Sequence, residues 1–242
     1  MHALAEARSL VSKARRIAVL TGAGISSESG IPTFRDAMTG LWSRFSPEDL
    51  ATPEAFARDP RTVWQWYAWR RELVERAQPN AGHAALVELE RRTKRFALIT
   101  QNVDGLHARA GSRHVIELHG NILRTRCARE GRILEESAMR PGSPPTCAAC
   151  GSHARPDVVW FGERLSPESL SLAGEAARGC DLFLSIGTSA LVEPAASLPL
   201  EALGAGAALI EVNPQPTPLS RHATLVLAGA AGEVLPRLVG PA

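Results

Sequence analysis

Short apolar runs and amphipathic stretches alternate along this chain. Ile17–Thr21, Phe96–Thr100, Val115–Leu118, Asp181–Ile186, Ala207–Val212 and Thr224–Leu227 are runs without in–out alternation. That pattern predicts strands buried on both faces, as in a parallel sheet. Residues 3–14 bring Leu4, Ala7, Leu10 and Val11 onto one helical face, and 83–94, 166–178, 193–203 and 232–239 predict further helices. Strand–helix alternation of this kind builds an α/β fold: an open, doubly wound parallel sheet with helices on both sides. Ligands in such folds sit beyond the strand ends, where loops such as 187–190 and 213–216 begin.

Two stretches interrupt the alternation. Residues 38–80 read as helical, punctuated by Pro47, Pro53, Pro60 and Pro79. Residues 121–156 hold three cysteines and a Pro-Gly-Ser-Pro-Pro segment, with no long periodicity. The expected organisation is therefore a sheet domain from residues 1–37, 81–120 and 157–242, carrying a helical insertion at 38–80 and a second insertion at 121–156.

Composition narrows the partners. The 242 residues are 45% hydrophobic and 21% charged, enough to bury a core without disulfides. Lys and Arg number 27 against 25 Asp and Glu, a balance that argues against nucleic-acid binding. The first residues carry charges where a signal peptide needs an apolar run, and no stretch approaches the roughly 20 apolar residues of a membrane span. A cytoplasmic, membrane-free monomer is expected, with reduced thiols. Four cysteines suffice for one metal site and no more.

After the first strand comes Thr21-Gly22-Ala23-Gly24-Ile25-Ser26, whose two glycines would let a backbone approach a pyrophosphate. A dinucleotide-dependent dehydrogenase needs more. Ser27 stands where its third glycine belongs, and the 40–50 region offers no second strand ending in an acid.

The longer string from Gly22 to Asp36, including Gly30-Ile31-Pro32-Thr33-Phe34-Arg35, resembles the NAD-binding signature of the sirtuins, NAD-dependent protein-lysine deacylases. Gln101-Asn102-Val103-Asp104-Gly105-Leu106-His107, His119-Gly120, Gly187-Thr188-Ser189 and Val158-Val159-Trp160-Phe161-Gly162-Glu163 match the same family in order, from about residue 10 to 236. The resemblance implies a Rossmann-like domain with a helical and a zinc-ribbon-like module inserted. It implies His119 as catalytic base, suited by an imidazole pKa near neutrality. It implies NAD contacts from Gly22, Ala23, Gly24, Phe34, Arg35, Gln101, Asn102, Asp104, Gly187, Thr188, Ser189, Asn213 and Ala231. Val159, Trp160, Phe161 and Gly162 would receive the acyl-lysine of a protein substrate. NAD would be consumed as co-substrate, yielding nicotinamide and O-acyl-ADP-ribose. An NAD-dependent protein ADP-ribosyltransferase is the alternative, because it breaks the same glycosidic bond.

Within the helical insertion, Tyr67 and Arg70 are three apart and share a helix face. A guanidinium grips a carboxylate through two parallel hydrogen bonds and a phenol can add a third. The pair resembles the Tyr-x-x-Arg signature of class III sirtuins, which implies removal of succinyl and malonyl groups as well as acetyl. The plainer reading places Arg70 and Arg71 on a solvated face and the tryptophans in the core.

Sirtuins usually bind zinc through two Cys-x-x-Cys pairs. Cys147 and Cys150 form one such pair, but Cys127 is followed at the fourth-ligand position by Glu130. Three thiolates are an incomplete zinc set that Glu130, His153 or water would have to close. Cys180, before a strand, is expected in the core.

Overall fold

Helix α1 (His2–Lys13) leads into strand β1 (Arg16–Thr21), the strand about which the fold reverses direction. The computed structural model describes residues 2–32 and 45–240. Helices α2 (Pro47–Leu50), α3 (Pro53–Arg58) and α4 (Pro60–Arg76) follow, then α5 (Ala81–Arg92), β2 (Arg95–Thr100), α6 (Leu106–Ala110) and β3 (Val115–Glu117). A second group holds β4 (Gly120–Cys127), β5 (Met139–Arg140), β6 (Thr146–Cys147) and β7 (Ala154–Val158). The chain then returns through α7 (Pro167–Gly179), β8 (Leu182–Ile186), α8 (Leu198–Gly204), β9 (Ala208–Asn213), β10 (Leu225–Ala228) and α9 (Ala231–Val239).

The six strands outside the second group form one parallel sheet in the order β10-β9-β8-β1-β2-β3. From β1 the chain winds to one edge through β2 and β3, then to the other through β8, β9 and β10, so the switch point lies between β1 and β8. Both faces are covered. Ile17, Val19, Leu184 and Ile210 pack with α1, α5 and α9, while Ala18, Leu20, Phe183 and Leu209 pack with α7 and α8. Burial on both faces is why these strands read as continuous apolar runs: Leu182 to Ile186 are buried at every position. The doubly wound α/β expectation holds, with its strands within a residue or two of the predicted bounds.

The predicted helix over 193–203 begins instead as a tight 3-10 turn at Ala195–Ser197 and becomes α8 only at Leu198. The helical reading of 38–80 holds for the described part. Proline and a capping side chain start two of its helices: Thr52 Oγ1 accepts from the Ala55 amide, and Asp59 Oδ1 from the Thr62 amide. Helix α4 buries Val63, Trp66, Tyr67 and Val74 against Ile122 and Val158, so this small core joins the helical insertion to the β4–β7 ladder.

Strand β4 has no counterpart in the apolar pattern. Arg124 and Arg126 interrupt it, and ion pairs supply what the pattern lacks: Arg124 bonds Asp157 on the paired strand β7 at 2.8 Å and Glu117, at the end of β3, at 2.7 Å. Cys180 is buried, as expected, with its thiol donating to Ala177 O.

Candidate active site

The loops that leave β1, β2, β8 and β9 meet at one end of the sheet. A Cβ added at Gly22 would lie 2.7 Å from Gly187 O, and one at Gly24 would lie 2.7 Å from Gly187 Cα. These glycines are therefore required by the neighbouring strand's loop as well as by any ligand: backbone meets backbone across the switch point, sealed by the Gly24 amide on Gly187 O. Thr188 extends the seam, since its Oγ1 accepts from Gln101 Nε2 at 3.2 Å and its carbonyl from Asn213 Nδ2 at 3.3 Å. Ser189 follows in the same loop. Ala231 opens α9, whose first turn is capped from across the site by Glu28: the carboxylate accepts the Gly232 amide at 2.6 Å.

Residues 101–104 lie against the glycine loop. Asn102 Nδ2 donates to Gly22 O at 3.1 Å and to Ser26 Oγ at 3.2 Å, and Ser26 Oγ donates to Asp104 Oδ2 at 2.7 Å. Asp104 is buried, which raises its carboxyl above the usual range, opposed by the Leu106 amide, the Ser26 hydroxyl and Arg70. His119 follows β3. Its Nδ1 lies 2.9 Å from Gln101 O, and a carbonyl only accepts, so Nδ1 carries the proton and Nε2 the lone pair. Burial pulls this imidazole below its ordinary value, against the Gln101 carbonyl, which favours the cation. The result is a neutral, oriented base at physiological pH.

Behind the loops sits a device with no assigned role in the sequence. Asn80 caps α5 by accepting the Gly82 and His83 amides, while its Nδ2 donates to Ile25 O and Ser29 Oγ on the glycine loop. His83 Nδ1 accepts the Asn80 amide in return. The His83 and His107 rings lie 4.9 Å apart, wholly buried. His107 Nε2 reaches Thr21 Oγ1, which donates to Thr100 Oγ1, which accepts the Asn102 amide. Only the Asn80 cap left a trace in the sequence, as an Asn just ahead of an amphipathic run.

Helix α4 approaches from the other side. Tyr67 is buried and accepts the Trp160 indole N–H at 3.0 Å. Arg70 is half-buried, with its guanidinium 4.9 Å from the Trp66 ring centre and 6.0 Å from that of Tyr67. Burial lowers its pKa, while Tyr67 and Asp104 favour its charge, so the α4 face and the 101–104 loop adjoin electrostatically. Arg71 differs: it donates to Ile122 O, Arg124 O and Thr125 Oγ1, tying α4 to β4. Trp66 is core and Trp64 and Trp69 are half-buried.

The 159–163 loop closes the gap between these parts. Val159 donates its amide to His119 O and Phe161 its amide to Ala51 O, both at 2.9 Å. Trp160 turns inward and is buried, Phe161 is 53% exposed, and Gly162 takes φ of 84° at the turn. Phe34 and Arg35 lie outside the described residues.

A model of the Sir2 family matches residues 22–194. The chain belongs to the Sir2 family. It is 56% identical to an NAD-dependent protein deacylase of Thermus thermophilus, covering 100% of this chain and 96% of the relative. It is 52% identical to one of Ralstonia nicotianae, covering 97% and 95%. Among solved structures, a Sir2 homologue in complex with NAD superposes with a TM-score of 0.90 at 50% identity, covering 97% of this chain and 92% of that one. A Sir2–p53 peptide–NAD+ structure superposes with a TM-score of 0.85 at 34% identity, covering 96% and 95%.

This Sir2-family chain departs from two Cys-x-x-Cys pairs in a structured way. The ligand atoms of Cys127, Glu130, Cys147 and Cys150 all lie within 4.8 Å of one another. Both arms use the same turn: Gly131 donates to Cys127 O and Gly151 to Cys147 O, each at 2.9 Å, with φ of 70° and 71°. Glu130 thus occupies the position in one turn that Cys150 holds in the other, while the His153 ring lies edge-on to Phe56. Three soft sulfurs and one carboxylate suit a tetrahedral zinc ion. Arg132 supports both sides, donating to Glu130 at 2.6 Å and to Cys147 Sγ at 3.1 Å.

Proposed function

We propose that this chain is an NAD-dependent protein-lysine deacylase whose acyl pocket selects succinyl and malonyl groups over acetyl. What carries the acyl preference is one helix face: Tyr67 and Arg70, a buried phenol and a desolvated guanidinium, sit together beside Asp104. A carboxylate tip entering there would gain a matched cation and a phenol donor, whereas an acetyl group leaves Arg70 without that anion.

The loops suit a dinucleotide by their donor set. Gly22, Ala23 and Gly24 with Gly187, Thr188 and Ser189 would take the phosphates, Gln101, Asn102 and Asp104 the nicotinamide end, and Asn213 and Ala231 the adenosine end. Bound NAD supplies a ribose carbon from which nicotinamide can leave, and no hydride moves. His119 Nε2 would take the proton from a ribose hydroxyl, its ring held by Gln101 O. The backbone of loop 159–162, tied beside His119 by the Val159 amide on His119 O, would receive the acyl-lysine. On this reading residues 1–37, 81–120 and 157–242 handle NAD, 38–80 chooses the acyl group, and 121–156 is a zinc-held module.

The test compares succinyl-, malonyl- and acetyl-lysine peptides of one sequence with wild type and Arg70→Met. The desuccinylase kcat/KM should fall at least tenfold in the variant while the acetyl-peptide value changes little. Full desuccinylase activity in Arg70→Met would refute the clamp.

A further inference from the structure

A phenol hydroxyl can accept and donate at once, and an indole N–H can only donate. The 3.0 Å contact between Trp160 Nε1 and the Tyr67 hydroxyl therefore has one sense: Trp160 donates and Tyr67 accepts. The Tyr67 hydrogen is left to point elsewhere. Burial pushes this phenol up to about 12, so it keeps that hydrogen at any physiological pH.

Trp160 is itself held on several sides. The Arg155 guanidinium lies 3.3 Å from its ring centre and Phe56 packs at 5.2 Å. Its own amide donates to Glu163 Oε2 at 2.8 Å. Arg155 is buried and grips the same carboxylate twice, at 2.6 and 2.9 Å. An indole fixed this firmly fixes the direction of the bond it gives.

We propose that Trp160 is a positioning residue for acyl choice: by occupying the acceptor side of the Tyr67 hydroxyl, it aims the hydroxyl hydrogen at the carboxylate tip of a dicarboxylic acyl group. This rests on the clamp reading of Tyr67 and Arg70. Trp160 then acts through Tyr67 rather than by touching the peptide, which agrees with its burial in the core while Phe161 faces outward. Breaking the contact frees the phenol to rotate, and a clamp that must be oriented on binding loses affinity for the group it holds.

The experiment measures kcat/KM for succinyl- and acetyl-lysine peptides with wild type, Trp160→Phe, Tyr67→Phe, Arg70→Met and the Trp160→Phe/Tyr67→Phe double variant. The readout is the succinyl-to-acetyl ratio within one preparation, which does not depend on the fraction folded. Trp160→Phe keeps an aromatic ring but has no N–H. It should lower the ratio about fivefold, chiefly through KM for the succinyl peptide, and should have no further effect once Tyr67→Phe is present. An unchanged ratio in Trp160→Phe beside a lowered one in Tyr67→Phe and Arg70→Met overturns the role of Trp160 and leaves the clamp standing. A further drop in the double variant also overturns it, because Trp160 would then act without the Tyr67 hydroxyl. A ratio unmoved by Tyr67→Phe and Arg70→Met removes the clamp and this inference together.

Discussion

The Nδ1 of His119 donates to the carbonyl of Gln101, so the residue expected to act as base is oriented by the loop expected to hold nicotinamide. Burial lowers the imidazole pKa from 6.5 and the Gln101 carbonyl opposes that only in part. A general base works when deprotonated, so kcat/KM should rise with pH through a midpoint below 6.5 and level off by pH 7. His119→Gln should cost about 100-fold or more in kcat. An acid limb centred above pH 7 in wild type would contradict this assignment.

The His83–His107 pair makes a prediction about stability rather than rate. Burial pushes His83 down to about 4 and His107 down to about 3, the latter helped by His83, while Glu28 pulls His83 the other way. The unfolded chain titrates both near 6.5, so between pH 6.5 and about 3 it binds more protons than the folded one. The stability these neutral histidines represent is complete above pH 6.5 and is lost as pH falls. From pH 7 to pH 5 the loss should reach about 3 to 4 kcal/mol for the two together. Urea unfolding at both values checks it, and His83→Gln should roughly halve the difference.

The same pair shows where sequence reading runs out. Parallel strands buried on both faces declare themselves as apolar runs, and motif order placed the four ligand loops at one sheet end. Asn80 reaches Ile25 in the glycine loop, while Ser26 and Glu28 of that segment reach Asp104 and Gly232, through side-chain hydrogen bonds between positions 55 to 204 apart that no local pattern encodes. Strand β4 was illegible for a related reason. Arg124 and Arg126 break its hydrophobic pattern, and their partners Asp157, Glu117 and Glu163 lie on other segments. Trp160, read as part of a peptide-binding loop, turned inward because Arg155 and Phe56 offer it a pocket.

Charge burial separates two ion pairs of equal length. Arg155–Glu163 and Arg178–Glu201 both measure 2.6 Å, but the Arg155 side chain is 7% exposed and that of Arg178 56%. Glu163→Ala strands a buried guanidinium and should destabilise by about 3 kcal/mol or more. Glu201→Ala should cost under about 1 kcal/mol. Denaturant midpoints of the two variants measure the contrast, and equal effects would mean that Arg155 finds another partner.

Glu130 stands where the proposed zinc module needs its fourth ligand. Its turn matches that of Cys150, so a thiolate at position 130 has the geometry to bind. Zinc prefers soft sulfur, and Glu130→Cys should raise affinity at least tenfold. In cobalt-loaded protein, the thiolate charge-transfer band per metal should grow by about a third as three sulfurs become four. Chelator should lower the melting temperature of wild type more readily than that of Glu130→Cys, because the carboxylate releases metal first. If the band does not change, Glu130 is not where the fourth ligand binds, and a water must close the site beside Cys127, Cys147 and Cys150.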